Sequence, residues 1–329
     1  MRSWRILRVI INRRESSRKK RRRANRRKAM WAVALVCILW GTTWMASKIG
    51  VKHVPALQLS GLRHLIGGGL YVAYFTFVKR MFPQRHQWWR LLWMSVLMFV
   101  LSNGLSVLSV VYMPSGLGSV VGAIAPIWVI ILSFFIFKQI RFKKQTIVGI
   151  LLGFTGVVIT FSDYFEHVMY TDFSYGILFG MISSMTWAIA TLLTVKQAKD
   201  LDPYFSLGWQ MFISGIILNS YSYISGNFVS FVSIPTDAWL SIAYLVVIGS
   251  VIAFGAYIYA LRRLPATLVS IHAYINPIVA ILLGDLLMNE KLTPFVIIGT
   301  IITLLGVYLV NNSFRRKIKF RKSSPAIAD

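Results

Sequence analysis

At 329 residues, 56% hydrophobic and only 14% charged, with a mean hydropathy of +0.64, the chain is too apolar to be a pair of water-soluble domains. Its formal charge of +26 does not by itself signal nucleic acid, because the cations are sorted into certain loops and tails. The single cysteine, Cys37, excludes an internal disulfide and a cysteine-based metal site, and reads as a small packing residue.

Residues 1–29 form a basic head whose first 28 residues carry fourteen Lys and Arg against the one acid Glu15. The apolar run that follows has no clear small-residue cleavage site, so a retained signal anchor fits better than a signal peptide. The head is expected to be a disordered cytoplasmic tail held at anionic membrane lipids, each cation near that surface contributing about 1 kcal/mol. A start at Met30, which opens the first apolar segment, stays open as an alternative. A transit peptide would be richer in Ser. No nucleic-acid partner is expected, since aromatics for base stacking are few.

Ten apolar segments follow, at about 30–49, 57–78, 91–111, 116–137, 145–162, 174–195, 204–226, 238–261, 265–288 and 294–312. About 20 apolar residues cross a bilayer as a helix. The expected fold is therefore an all-α integral membrane protein of ten transmembrane helices. The connections alternate in charge. One set holds Lys79, Arg80, Arg85 and Arg90, then Lys138, Arg141, Lys143 and Lys144, then Lys196 and Lys199, then Arg262 and Arg263. The tail over 313–329 adds Arg315, Arg316, Lys317, Lys319, Arg321 and Lys322. Only Lys48, Lys52, Arg63 and Lys291 remain for the other side, toward which Asp163, Glu166, Asp172, Asp237, Asp285 and Glu290 fall. Positive charge stays inside, so both termini are expected to be cytoplasmic in a multi-pass protein of a bacterial inner membrane.

Taken in chain order, the polar and aromatic residues near the bilayer centre are the candidates for a solute cavity. The first helix carries Trp40, Trp44 and Lys48 on one face. The second carries Ser60, Arg63 and Gly67 on one face, with His64 beside it. A cation as deep as Arg63 is expensive unless it faces the bundle interior or water. Lys48 and Arg63 either offer positive charge to an anionic group or snorkel to headgroups with Glu290 or Asp285 as partner. Asn103, Trp187, Gln210 and Tyr257 are further lining candidates, against the plainer reading that aromatics in spans pack. On the ninth helix His272 and Asn276 lie one turn apart, and His272 either takes a proton or bonds a neighbouring helix. Pro126 and Pro277 each free a backbone carbonyl, as ordinary kinks or as paired gates lining a wet cavity.

Landmarks recur at nearly constant offset. Pro114 to Ser119 matches Pro265 to Ser270, Pro126 matches Pro277, Gly149 and Gly156 match Gly299 and Gly306, and Trp40 pairs with Trp187. Residues 30–163 and 174–312 thus read as two copies of a five-helix unit. An odd number of spans per copy makes the second copy inverted, an architecture that puts the site at the midplane between the copies. Gly118-x-x-x-Gly122, Gly149-x-x-x-Gly153 and Gly176-x-x-x-Gly180 allow close helix approach, and the fifth helix offers a packing or homodimer face.

No acid falls at the midplane, which disfavours cationic cargo and fits a neutral, zwitterionic or anionic solute. Paired aspartates and an HExxH helix are absent from the spans, and no glycine loop that cradles phosphate is present, so catalysis and ATP-driven pumping are not expected; neither is a cofactor or a metal.

Trp40-Gly41-Thr42, Lys48, Pro55 and Arg63 resemble the opening of an EamA-type repeat of the drug/metabolite transporter superfamily, and Asn289-Glu290-Lys291-Leu292-Thr293-Pro294 followed by Gly299 and Gly306 resembles its close. The resemblance covers about 30–312. It implies ten helices around a central cavity and export or exchange of amino acids or other small metabolites. The family's acid at the close of each repeat is kept as Glu290 but replaced by Gln139 in the first copy. The leading expectation is a solute exporter working by alternating access. A sugar-phosphate or nucleotide-sugar exchanger is the second reading, and a membrane scaffold or intramembrane enzyme the third.

Overall fold

The computed structural model describes residues 2–137, 144–164, 171–197, 201–264, 269 and 272–323. Lys138, Gln139, Arg141, Lys143, Glu166, Lys199 and the landmark from Pro265 to Leu268 lie outside the described residues. All regular elements among the described residues are helical. In chain order they are α1 (Arg2–Gly50), α2 (Ala56–Ala73), α3 (Trp88–Ser95), α4 (Leu105–Tyr112), α5 (Ser115–Ala123), α6 (Ala125–Phe137), α7 (Lys144–Thr160), α8 (Thr171–Gln197), α9 (Pro203–Ile224), α10 (Thr236–Tyr244), α11 (Ala253–Leu261), α12 (His272–Met288) and α13 (Pro294–Ser323). A π-helical stretch, Val96–Gly104, joins α3 to α4, and another, Leu245–Ile252, joins α10 to α11.

Five of the stretches are long and apolar enough to cross a membrane: Ala24–Gly50, Arg85–Tyr112, Ser115–Leu132, Asp172–Thr194 and Thr236–Leu261. Lys144–Thr160, His272–Met288 and Pro294–Val310 are shorter apolar helices. The segments expected at 57–78 and 204–226 are helical too, but polar residues such as Gln58, Arg63, His64, Gln210 and Asn219 dilute their hydropathy. The basic head differs from the disordered tail expected of it. α1 starts at Arg2 and runs without a break into the first apolar stretch. Arg, Lys and Ala are good helix formers, and a helix already nucleated in the apolar stretch extends at little cost.

Helix starts follow proline chemistry. Pro55, Pro114 and Pro235 stand as the N-cap residues of α2, α5 and α10, and Pro203 opens α9 behind Asp202, whose carboxylate accepts from the Tyr204 and Phe205 amides. A proline at a helix start loses no bond, because that N–H has no partner within the helix.

Two glycine-lined seams hold the helices together, and both are antiparallel. Between α2 and α9, Gly61 faces Asn219, Gly215 faces Leu65, Gly68 lies on Met211 and Phe212, and Gly208 faces Tyr71. Between α7 and α13, a Cβ on Gly149 would lie 2.8 Å from Gly306 O, and one on Gly156 would lie 2.7 Å from Gly299 O. Backbones this close leave no room for side chains. The fifth-helix glycine face, expected to serve packing or a homodimer, is therefore covered by α13 of the same chain. α1 packs on α5, α10, α11 and α12, and α8 packs on α4, α5 and α6.

Gly156→Val should overpack the α7–α13 seam by about 1–3 kcal/mol and lower the melting temperature of the detergent-solubilised protein by several degrees. Gly69→Ala is the control. Its Cβ would meet nothing nearer than the Phe212 ring at 3.8 Å, so its melting temperature should be equal or higher.

Candidate functional site

α1 places Trp40 where four helices meet. Its ring lies edge-on to Trp187 of α8 (5.8 Å between centroids), to Phe254 of α11 (4.9 Å) and to His272 of α12 (4.9 Å), and tilted against Tyr257 of α11 (5.0 Å). Edge-to-face pairs add about 0.5–1.5 kcal/mol each beyond burial. Trp40 is buried, and its indole N–H donates to the carbonyl of Gly249 at 3.3 Å. The four expected residues Trp40, Trp187, Tyr257 and His272 thus form one cluster. Phe254, missed in the sequence, completes it. The only sequence signal for Phe254 is its position three residues before Tyr257, on the same helix face.

Arg63 lies on the other side of Gly249. A Cβ at Gly249 would come within 3.0 Å of Arg63 Nη2, so this glycine leaves the space that the guanidinium occupies. Arg63 is only 5% exposed, and its Nε donates to Ser250 Oγ at 2.8 Å. Among the described residues no carboxylate pairs with it. Gly249 and Ser250 both belong to the π-helical stretch after α10, and such stretches are frequent at functional sites. The same peptide therefore takes Trp40 through its carbonyl and borders Arg63 through its missing side chain.

Asn276 ties the cluster's frame. With its amide nitrogen turned to two carbonyls it donates to Cys37 O (2.9 Å) on α1 and to His272 O (3.0 Å) on its own helix. Pro277 follows inside α12, so the helix bond to Ala273 O has no donor there. His272 Nδ1 is buried without a partner among the described residues. His64, beside Arg63, is fully buried. Ser214 spends its hydroxyl proton on Met211 O (2.7 Å), so His64 Nδ1–H is the donor in the 3.2 Å bond to Ser214 Oγ.

The other expected residues stand apart from the cluster. Trp44 covers Gly118 and Gly122 of α5, which lack side chains where its ring lies. Asn103 donates to Met98 O (2.8 Å) five residues back and closes the π-helical stretch it belongs to. Gln210 Nε2 donates to Ser206 Oγ (2.7 Å) while its backbone carbonyl accepts from Ser95 Oγ (2.7 Å), tying α9 to α3. Pro126 is the second residue of α6, just past a turn at Ile124, whereas Pro277 lies within its helix. The two prolines, expected as matching bends, are one helix start and one true interruption. Lys48 is half-buried, its Nζ donates to Val110 O (2.6 Å) and Met113 O (3.0 Å), and Glu290, one of its expected partners, lies within electrostatic reach. No group of three His, Cys, Asp or Glu side chains among the described residues is placed to hold a metal.

The chemistry available is thus an arginine with unused donors, a set of ring faces and edges, and no local carboxylate. Such a pair of surfaces can hold an anionic group at one end and an apolar or ammonium group at the other.

Residues 27–162 and 174–312 each match the model of the EamA-like transporter family. An uncharacterized transporter of Bacillus subtilis (YoaV) is 24% identical over 298 residues, 88% of this chain and 99% of the relative. An uncharacterized inner membrane transporter of Escherichia coli (YedA) is 27% identical over 287 residues, 84% of this chain and 91% of the relative. An uncharacterized transporter of Archaeoglobus fulgidus is 29% identical over 290 residues, covering 85% and 98%. A crystal structure described only as that of a protein shares the fold, with a TM-score of 0.63 at 16% identity over 88% of this chain and 98% of that one. With both family matches together spanning most of its length, the chain belongs to the EamA-like transporter family and is a membrane transporter.

Proposed function

We propose that this transporter moves a small organic metabolite bearing a carboxylate, an amino acid or a similar zwitterionic or anionic solute, outward across the bacterial inner membrane by alternating access. The observation that carries the reading is Arg63. It is 5% exposed, bonded through one of its five N–H groups to a neutral serine, and separated by Gly249 from the aromatic cluster around Trp40. A deep arginine costs about 2.5–3.5 kcal/mol on insertion scales, and one hydrogen bond from a charged group returns about 1.5–3 kcal/mol at most. A solute carboxylate on the remaining donors would supply bidentate bonds that the protein leaves unmade, while Trp40, Tyr257 and His272 would receive the rest of the molecule.

The architecture proposed with it is ten spans in two inverted five-helix repeats, 30–163 and 174–312, with both basic tails cytoplasmic and lying against anionic lipids. Several features support it. The α7–α13 seam is reciprocal, Gly149 meeting Gly306 and Gly156 meeting Gly299, as a two-fold axis in the membrane plane requires of matched positions. The two long π-helical stretches begin 149 residues apart, at Val96 and Leu245, close to the spacing of the sequence landmarks. Trp40 and Trp187, paired as repeat landmarks, meet edge to face. Trp40, Phe254 and Tyr257 are buried, so the copies would have to part for a solute to reach them, which is the motion alternating access supplies.

In proteoliposomes, counterflow of labelled neutral amino acids should fall at least tenfold in Arg63→Gln, chiefly through a raised KM, and recover in part in Arg63→Lys. No counterflow of any amino acid with the native protein would remove this substrate class. With no carboxylate at the site to carry a proton, an imposed pH gradient should leave the steady-state solute distribution unchanged. Accumulation driven by that gradient would replace uniport or exchange with antiport.

A further inference from the structure

The corner between α4 and α5 is held by two charges that the aromatic cluster does not use. α4 ends at Tyr112 and α5 begins at Ser115, with Met113 and Pro114 between them. Lys48 of α1 donates to Val110 O (2.6 Å) and Met113 O (3.0 Å), at the carbonyl end of α4. Glu290, in the connection from α12 to α13, accepts from Ser115 N through Oε1 (2.7 Å) and from Gly116 N through Oε2 (3.0 Å), at the amide end of α5. A cation on carbonyls and an anion on amides is the placement that helix dipoles favour, and bonds to a full charge are the stronger kind.

The socket for Glu290 is built by its surroundings. Asn289 takes a φ of +53°, a conformation Asn tolerates better than most residues, and turns the chain so that Glu290 N bonds Gly284 O at 3.0 Å. Gly284 has no side chain where the carboxylate passes; a Cβ there would overlap Oε2. Gly116 is likewise bare, and a Cβ on it would press on Ile281 of α12 at 3.0 Å. Pro114, the N-cap residue, has no N–H to compete for the carboxylate. The bonds run from a connection late in the chain to a helix in its first half, whereas both partners of Lys48 lie in that first half.

We infer that Glu290 is the positioning residue of the outer gate. Its carboxylate on the α5 amides holds the outer side shut, and the corner braced by Lys48 is the rigid piece that leaves it when the side opens. The sidedness rests on the repeat and orientation reading above. The carboxylate carries neither solute nor proton in this role and never has to reach the aromatic cluster. Its exchange of two strong bonds for water biases which side of the protein is open.

The test needs no substrate. In the full chain with Cys37→Ser, Thr43→Cys places one thiol on α1 between Trp40 and Lys48; Thr43 is 8% exposed and lies against Gly249. A membrane-impermeant methanethiosulfonate is applied to intact cells from outside and to inside-out vesicles from the other face. With Glu290 in place, labelling from outside should be slow. Glu290→Ala should speed outside labelling roughly tenfold or more, the scale expected for losing hydrogen bonds to a charged group, and should not speed labelling from inside. Glu290→Gln keeps one acceptor oxygen and should fall between, which also serves if the alanine variant does not fold. An unchanged outside rate in a monodisperse variant overturns the inference, as does an equal rise from both faces, the sign of a loosened fold. A rise from the inner face alone supports the latch and overturns the orientation.

Discussion

The constraint on which the structure depends is that a bilayer core offers no hydrogen-bond partner, so every polar group there is bonded by the protein or costs several kcal/mol. The backbone meets this demand by being helical wherever it is regular among the described residues. The interesting chemistry is then confined to places where a helix ends or changes pitch. α4 and α5 end against each other, and Lys48 and Glu290 supply what their carbonyls and amides lack. The π-helical stretch over Val96–Gly104 gains a bond from Asn103 to Met98 O. The stretch over Leu245–Ile252 gives its Gly249 carbonyl to Trp40. Residues expected to line a cavity because they are polar are, in several cases, polar because the backbone beside them needed a partner.

The same constraint explains the glycines. Without water to drive apolar association, helices in lipid gain by close contact, and the smallest residues give the closest contact. In the α2–α9 seam this closeness brings Arg63 into the interior, since the opposite face of α2 is pressed on α9 through Gly61 and Gly68, while His64 faces α9 itself on Ser214 Oγ. It also seats Ser250 against Gly67, where a Cβ would come within 2.9 Å of the serine, so the partner of Arg63 is held by packing and not by chance of rotamer. Packing made for stability thus fixes the position of Arg63.

How much of this is legible in the sequence depends on whether the signal is periodic or point-like. The helices, the charge sorting and the glycine seams repeat along the chain and can be read directly. Trp40, Trp187, Tyr257 and His272 are legible as large or polar residues near the middle of spans, and they do come together. Phe254 is invisible among twenty-one phenylalanines until its helix is placed. The uses of Asn103, Gln210 and Lys48 depend on pitch changes and helix ends that hydropathy does not register, because a π turn and an α turn have the same apolar pattern over a few residues. The helical continuation through the basic head went unread for the opposite reason: its charge argues for disorder, while its Arg, Lys and Ala content and its attachment to an apolar helix argue for helix.

Sorting the deep polar groups by whether the protein satisfies them separates structure from function more sharply than their identity does. Lys48 has two carbonyls and Glu290 two amides, so both are engaged at the α4–α5 corner and neither is left for the aromatic cluster. Asn276, Gln210 and Asn103 each donate to protein acceptors and are spent likewise. Among the described residues Arg63 has a single neutral partner, and His272 Nδ1 and His64 Nε2 have none. A buried orphan costs about 1–3 kcal/mol, more when charged, and the seam helices carry others at Asn219 Oδ1 and Thr300 Oγ1, so it is the place of His272 against Trp40, not its lack of a partner alone, that sets it apart. On the function proposed above, a bound solute would recover the free energy left unspent at Arg63, and the loaded state would be stabilised over the empty one. On that reading the difference, not the affinity of any one contact, would let the core open for one class of molecule and stay shut to water.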